Sequence, residues 1–159
     1  MTTSIDIQLF LPHRAPMLMV DCIIEIGCEA VITQFTIEGD NIFVQNGFFS
    51  ETGMIENAAQ TCSSIVAQSF FAEGDVENKE RLNVLGFIST IKTLTIYGLP
   101  PVNETIVTKS TLISKYDAEH YTTCLMDCKT YLGTQLLMKG EINLFIQEKS
   151  NEKERSTTG

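Results

Sequence analysis

The sequence has few of the residues from which metal sites and disulfide frameworks are built. Its 159 residues include two histidines and five cysteines, and no two cysteines form a Cys-x-x-Cys pair. An odd number of cysteines without paired spacing argues against a disulfide framework, and two histidines argue against a Cys/His zinc site. We therefore expect reduced, structural cysteines, no metal and no cofactor.

Positive charge is also scarce. Eleven lysines and arginines stand against twenty aspartates and glutamates, which gives a formal net charge of −9. This balance argues against nucleic acid and anionic membranes as partners, because both carry negative charge. The chain has no apolar run near the roughly 20 residues that a membrane helix needs, and no signal-peptide pattern at its start. We therefore expect a cytoplasmic protein that binds neither membrane nor nucleic acid.

One stretch, residues 49–72, contains no lysine or arginine and is predicted to form a single long helix. Ser50 or Thr52 supplies the N-cap, and Glu51 adds a negative charge near the first turn, where the helix dipole favours it. An apolar stripe with small neighbours recurs at helical spacing, at Ile55, Ala59, Cys62, Val66 and Phe70. A helix without a charged outer face is one that the rest of the chain surrounds.

Glu56 and Gln60 lie one turn apart on this helix and face the same way. A carboxyl group on a buried helix is costly unless it is paired or functional. Residues 15–78 contain no lysine or arginine, so no sequence-local cation holds Glu56 ionised, and we expect burial to keep a proton on it. The alternative is structural: Glu56 caps a buried backbone group or forms a hydrogen bond with Gln60.

The rest of the chain has the alternation that predicts strands. Two strands precede the helix and four follow it, at residues 17–26, 30–38, 82–97, 104–116, 119–131 and 135–147. This order favours an α+β fold in which an antiparallel sheet of about six strands wraps round one long central helix. Residues 1–147 are predicted to form one domain and residues 148–159 a disordered polar tail. The sheet leaves an edge that a second copy would cover, so we expect a dimer.

Three segments carry the motifs of a known enzyme family. Residues 11–21, LPHRAPMLMVD, are similar to the opening strand of the 3-hydroxyacyl-(acyl carrier protein) dehydratase family of fatty-acid synthesis, and residues 56–60, ENAAQ, to the Glu-Ala-x-Ala-Gln of its central helix. Residues 85–87, LGF, fit its third strand. The Pro-His-Arg-x-Pro-Met motif in the first segment is shared with a divergent branch from aryl polyene clusters. The resemblance spans residues 9–146.

This resemblance implies the hot-dog fold, in which a sheet wraps round one helix, and a homodimer with active sites at the subunit interface. It implies dehydration of a (3R)-hydroxyacyl thioester, linked to acyl carrier protein or coenzyme A, to the trans-2-enoyl thioester. The pathway implied is fatty-acid-like or polyene biosynthesis, with an acyl carrier protein as the expected partner.

One departure from the family affects the catalytic residues. The family carries a catalytic histidine in a Gly-His-Phe-Pro loop before the helix, whereas this chain has Asn-Gly-Phe-Phe at residues 46–49. Only the family's glutamate therefore transfers, to Glu56 as the acid. His13 becomes the replacement base by elimination, and its alternative role is to fix the proline-rich turn around it. His120 falls at a predicted hairpin, where we expect it to be exposed.

A dehydratase also needs a donor for the developing enolate oxygen and an apolar slot for the acyl chain. Free amides at the helix N-terminus suit the first task, so Gly53 and Met54 are the expected donors. We expect Gln60, Phe49 and Phe87 to complete the substrate-binding site, although such aromatic residues are equally typical of a core. Four cations form either a patch for an acidic carrier protein or ordinary solvated charges: Arg14, Lys79, Arg81 and Lys92.

Two rival functions remain open. A thioesterase of the same fold uses a helix carboxylate to activate water or to attack the thioester, and it needs no histidine. A non-catalytic acyl-binding or partner subunit has lost its chemistry together with the loop histidine.

Overall fold

The computed structural model describes residues 4–72 and 84–148, with the backbone alone at residues 67–72, 84–85 and 148. Three predicted segments of the chain lie outside the described residues: residues 73–81 between the predicted helix and the next predicted strand, the first two residues of that strand, and the predicted tail beyond residue 148. The elements follow one another as β1 (Ile5–Asp6), a 3₁₀ helix (Ile7–Leu9), β2 (Cys22–Ile26), β3 (Ala30–Thr36), β4 (Val44–Gln45), β5 (Phe48–Phe49), α1 (Glu51–Ala72), β6 (Val84–Ile96), β7 (Thr105–Asp117), β8 (Tyr121–Leu132) and β9 (Gln135–Glu148).

Seven strands form one antiparallel sheet in the order β1-β2-β3-β7-β8-β9-β6. Buried and less buried residues alternate along β8 and along residues 105–110 of β7, so one face of the sheet packs inward against the helix. The predicted α+β architecture, a sheet around one long helix, is confirmed. The strand beyond the predicted six is β1, where Ile5 and Asp6 pair with Ile23 and Cys22.

The helix α1 is buried on nearly all sides between Gly53 and Val66. It belongs to one hydrophobic cluster with fully buried residues of β7, β8 and β9: Ile106, Met126, Met138, Ile142 and Leu144. Packing requires Gly53, because a Cβ there would lie 2.5 Å from Cε1 of Phe49 and 2.7 Å from Cβ of Phe43. Within residues 4–72 and 84–148, no helix combines the length and apolar character needed to cross a membrane.

The first long strand begins later than the alternation predicts. β2 starts at Cys22 rather than Met17, because the preceding backbone bonds to helix side chains. The N–H of Met19 donates to Oε1 of Gln60 at 2.7 Å, and its carbonyl oxygen accepts from Nδ2 of Asn57 at 2.7 Å. Side-chain amides therefore take the place of a neighbouring strand along this segment.

β6 lies at one end of the sheet, and among the described strands it pairs with β9 alone. It is 13 residues long, and Phe87 and Ile91 on it are 47% and 40% exposed. A long, partly apolar edge strand is a template for pairing with another chain. This open edge borders the candidate site described below.

The five cysteines all fall in the described ranges and are free thiols. Cys62 of α1 and Cys128 of β8 meet in the core, with their Sγ atoms 3.1 Å apart. Burial, followed by the hydrogen bond to Cys128, raises the pKa of the Cys62 thiol well above its ordinary value of 9.0. Cys62 therefore packs as a neutral, protonated side chain.

Candidate active site

His13 lies in the loop that follows the 3₁₀ helix. The guanidinium of Arg14 closes this loop by donating to the carbonyl oxygens of Leu11 and His13, both at 2.8 Å. Leu11 is fully buried and anchors the loop in the core, and the Ala15–Pro16 peptide bond is cis. The loop therefore holds the His13 side chain beside α1, where it is 30% exposed.

Glu56, on the second turn of α1, faces His13. Nε2 of His13 and Oε1 of Glu56 are 3.9 Å apart, and the Glu56 side chain is 28% exposed. This distance suits an ion pair but is too long for a hydrogen bond. Nδ1 of His13 is buried without a hydrogen-bond partner among the described residues. The two side chains expected to be catalytic are thus neighbours within one chain.

Gln60 connects Glu56 to the segment that follows His13. Its Nε2 donates to Oε1 of Glu56 and to the carbonyl oxygen of Met17, both at 2.8 Å. Its Oε1 accepts the N–H of Met19 at 2.7 Å. Because Gln60 is only 1% exposed, its amide is engaged inside the protein rather than available to solvent. Glu56 is therefore anchored through one of its two carboxyl oxygens.

Asn57 supports the same segment from the next position on the helix. Its Nδ2 donates to the carbonyl oxygen of Met19, and its Oδ1 accepts from Oγ1 of Thr108 at 2.6 Å. The hydroxyl of Thr108 in turn contacts that of Thr130 at 2.9 Å. This buried polar chain joins α1 to β7 and β8 in the interior of the protein.

A cavity of about 340 Å³ opens between α1 and β6, beside Glu56. The small residues Ala59 and Ser63 on the helix and Gly86 on the strand leave room for it. Both polar and apolar side chains line the cavity, which suits a ligand with a polar reacting group and an apolar chain. The lining consists of His13, Glu56, Ala59, Gln60, Ser63, Gly86, Phe87, Ile88 and Leu144.

Three predicted substrate-binding residues lie in the core and do not line this cavity. Gly53 and Met54 are buried, and their N–H groups already donate to Ser50, to its Oγ at 3.4 Å and its carbonyl oxygen at 3.0 Å respectively. Phe49 is fully buried, with its ring centroid 5.5 Å from that of Phe35. The structure therefore does not bring these residues together with His13 and Glu56.

Phe87 borders the cavity, but its ring packs on the outer face of the sheet. Its centroid lies 5.2 Å from that of Phe145, which lies 5.1 Å from that of Tyr121. The neighbours of Phe145 along β9, Leu144 and Ile146, are the buried residues, so Phe145 faces outward. This aromatic row extends from the edge strand β6 across β9 to β8.

The predicted cationic patch is only partly within the described residues. Arg14 donates into its own loop, and Lys92, 58% exposed, lies 3.7 Å from a carboxylate oxygen of Glu141. His120 is 80% exposed and does not line the cavity. Two members of the patch lie outside the described residues: Lys79 and Arg81.

Sequence reasoning missed three polar residues around the site. Asn57 could have been found from the sequence, because a polar side chain on a helix that is predicted to be buried needs a hydrogen-bond partner. Ser63 could have been found too, since it lies seven residues after Glu56 and shares its helix face. Thr108 could not have been found from the sequence, because its hydrogen-bond partner Asn57 is 51 residues away in the chain.

A seven-stranded antiparallel sheet wrapped round one buried helix is the arrangement of the hot-dog fold. The family model described as ApeP dehydratase (ApeP-like) matches residues 5–155. The chain therefore belongs to the ApeP-like dehydratase family, and the resemblance to the divergent aryl-polyene-type branch is confirmed. Membership of this family supports an enzyme that eliminates water. No curated protein matches the chain in sequence.

Solved structures share the fold at low sequence identity. The dehydratase heterocomplex ApeI:P from Xenorhabdus doucetiae is similar at 16% identity with a TM-score of 0.73, over 93% of each chain. A hypothetical thioesterase protein with coenzyme A from Streptococcus pneumoniae is 10% identical with a TM-score of 0.56, over 81% of this chain and 87% of that one. Cj0977, a sigma28-regulated virulence protein from Campylobacter jejuni, is 10% identical with a TM-score of 0.62, over 91% and 85%. At these identities the likeness shows the hot-dog fold alone.

Proposed function

We propose that this protein dehydrates a (3R)-hydroxyacyl thioester to the trans-2-enoyl thioester. The observation that carries the proposal is the His13–Glu56 pair, whose nitrogen and oxygen atoms lie 3.9 Å apart in the lining of a cavity that also has apolar residues. Membership of a dehydratase family supports the class of reaction. An acid and a base beside one apolar slot are what an elimination next to a thioester requires.

In the proposed reaction His13 is the base and Glu56 the acid. Nε2 of His13 takes the α-proton, the electron pair of that C–H bond forms the new carbon–carbon double bond, and the β-hydroxyl leaves. The carboxyl proton of Glu56 goes to the departing hydroxyl, which is released as water. The partly exposed imidazolium then releases its proton to water and the partly exposed carboxylate takes one up from water, so that one water and one enoyl thioester leave an unchanged enzyme.

The acyl chain is proposed to lie along the cavity between α1 and β6. Ala59, Ile88 and Leu144 supply the apolar surface, and the thioester end reaches the imidazole and carboxyl groups. Gly53 and Met54 have no part in this version of the site, because their N–H groups already have acceptors and a buried donor with an acceptor is not free for substrate.

The edge strand β6 supports a dimer as part of the proposal. Gly86, Phe87 and Ile88 of this strand line the cavity, so a second subunit paired along β6 would cover the open flank of the acyl slot. A covered slot excludes water from the reacting carbon atoms, which strengthens the electrostatic interactions within it.

The carrier and the pathway belong to the same proposal. Thioesters of coenzyme A and of acyl carrier protein present the same acyl group, and the family supports fatty-acid-like or polyene biosynthesis. The net charge of −9 would repel an acidic carrier protein except at a local cationic surface. Comparing turnover of one hydroxyacyl group on both carriers distinguishes them.

Identification of the product tests the function. Purified protein is supplied with a 3-hydroxyacyl thioester, and enoyl absorbance and free thiol are followed in the same sample. The proposal expects enoyl thioester without free thiol. Free thiol without enoyl product would instead identify a thioesterase, and neither product would refute catalysis by the isolated chain.

A second candidate function is that of a partner subunit for another hot-dog protein. The open edge at β6 favours it, as does the likeness to a chain of the dehydratase heterocomplex ApeI:P. Light scattering with an activity assay separates the two candidates. A homodimer active on its own supports the first, and a chain that is inactive until a second hot-dog subunit is added supports the other.

A further inference from the structure

The buried amide of Gln60 bonds both to the segment that follows His13 and to the carboxyl group of Glu56. We propose that Gln60 is a positioning residue that reserves Oε2 of Glu56 for proton transfer, an inference that rests on the proposed dehydration. Gln60 itself does not exchange a proton with substrate. Its effect passes through the carboxyl group of Glu56 and through the loop that carries His13.

The orientation of this amide is fixed by its partners. The backbone N–H of Met19 can only donate, so the atom 2.7 Å from it must be the Gln60 oxygen. The Gln60 nitrogen then faces the carbonyl oxygen of Met17 and Oε1 of Glu56, both 2.8 Å away and both able to accept. The reversed amide would bring two donors together at Met19 and two acceptors together at Met17.

This orientation of the Gln60 amide gives the two carboxyl oxygens of Glu56 different roles. Oε1 accepts an N–H from Gln60, so in the acid form the proton lies on Oε2. Oε2 is then the oxygen that protonates the leaving hydroxyl. The same hydrogen bond limits rotation of the carboxyl group, which keeps that proton in one direction.

The Gln60 amide also sets the distance between the Glu56 carboxyl group and the His13 imidazole. Met17 and Met19 follow His13 by four and six residues, and both are bonded to Gln60. The Gln60 side chain therefore bonds both to the segment that follows His13 and to the carboxyl group of Glu56. A displacement of about 1 Å between reacting groups costs on the order of a hundredfold in rate.

A purely structural role for Gln60 is the alternative, and Asn57 provides the matched control. Both side chains are 1% exposed on α1, and both bond to the backbone of Met19. Asn57 makes no hydrogen bond to Glu56 among the described residues, whereas Gln60 does. A difference between their variants therefore isolates the contact with the carboxyl group.

The test compares Gln60→Glu with Asn57→Asp in the full chain. Each change keeps the hydrogen bond that the side chain accepts, removes its amide donor and adds one carboxyl group at an equally buried position. The readouts are kcat for enoyl formation per folded protein, and KM, on one 3-hydroxyacyl thioester. We expect Gln60→Glu to lower kcat about a hundredfold with KM changed less than about threefold, and Asn57→Asp to keep both values near those of the wild type.

Equal kcat per folded protein in the two variants would overturn the positioning role of Gln60 but would leave the proposed dehydration standing. A wild type that forms no enoyl product would overturn the proposed function and this inference together. If Gln60→Glu does not fold, Gln60→Met against Asn57→Leu gives the same comparison, because each removes the whole amide. A Gln60→Met enzyme with wild-type kcat would equally refute the role.

Discussion

The side chain of Gln60 and the backbone N–H of Met19 are joined by a 2.7 Å hydrogen bond across 41 positions of sequence. This bond fastens the segment that follows His13 to the helix that carries Glu56. The imidazole and the carboxyl group are therefore neighbours within one subunit. In the proposed dimer, a partner would cover the site rather than contribute one of its two catalytic groups.

Mixing two inactive variants tests whether the pair belongs to one chain. His13→Ala and Glu56→Gln proteins are unfolded together, refolded and assayed for enoyl product. We expect no recovery, because every chain in the mixture lacks one of the two groups. If the groups came from different subunits, mixed dimers would regain one intact site and up to about a quarter of the wild-type activity.

The buried amide of Asn57 is expected to contribute strongly to stability. Asn57→Ala leaves the carbonyl oxygen of Met19 and the hydroxyl of Thr108 without this partner in the interior. We expect the free energy of unfolding to fall by about 2–3 kcal/mol, measured with urea. Gln147→Ala, at an exposed position of β9, is the control and should stay within about 0.5 kcal/mol. A stable Asn57→Ala protein would show that other groups satisfy these atoms.

We expect that even the small change Gly53→Ala destabilises the protein. Alanine favours a helix by about 1 kcal/mol over glycine, but here its Cβ would meet Phe49 at 2.5 Å and Phe43 at 2.7 Å. Overpacking of this kind costs about 1–3 kcal/mol, so we expect a net loss of about 1 kcal/mol in the urea-derived free energy. The matched glycine is Gly86, where an added Cβ lies 3.6 Å from Ile146 and should be tolerated. A Gly53→Ala protein more stable than wild type would contradict the packing.

Cys62 gives the protein a pH-dependent stability on the alkaline side. Burial raises the pKa of its thiol well above 9.0, so above that pH the unfolded thiol ionises while the native one keeps its proton. Because the native state then binds more protons, the free energy of unfolding falls as pH rises past 9.0. Urea unfolding of wild type, Cys62→Ala and Cys28→Ala between about pH 8 and about pH 10 measures this. The decrease should be smaller in Cys62→Ala and unchanged in Cys28→Ala, whose replaced thiol is exposed; identical slopes in all three would refute it.

The sequence predicts the parts of this protein that depend on local periodicity. The long helix, the order of the strands and the shared face of Glu56 and Gln60 all follow from spacing within one element. The late start of β2 does not, because Met19 bonds to side chains far along the chain. The interior position of Gly53 depends likewise on where Phe43 and Phe49 pack.

The rate of enoyl formation by the Glu56→Gln protein tests the central claim most directly. Glutamine keeps the size of the side chain but has no carboxyl proton to give to the leaving hydroxyl. We expect the rate to fall by about a hundredfold to ten-thousandfold, with the urea midpoint preserved and with His120→Asn, at an exposed histidine, as active as wild type. A Glu56→Gln protein that forms enoyl thioester at the wild-type rate would contradict the account.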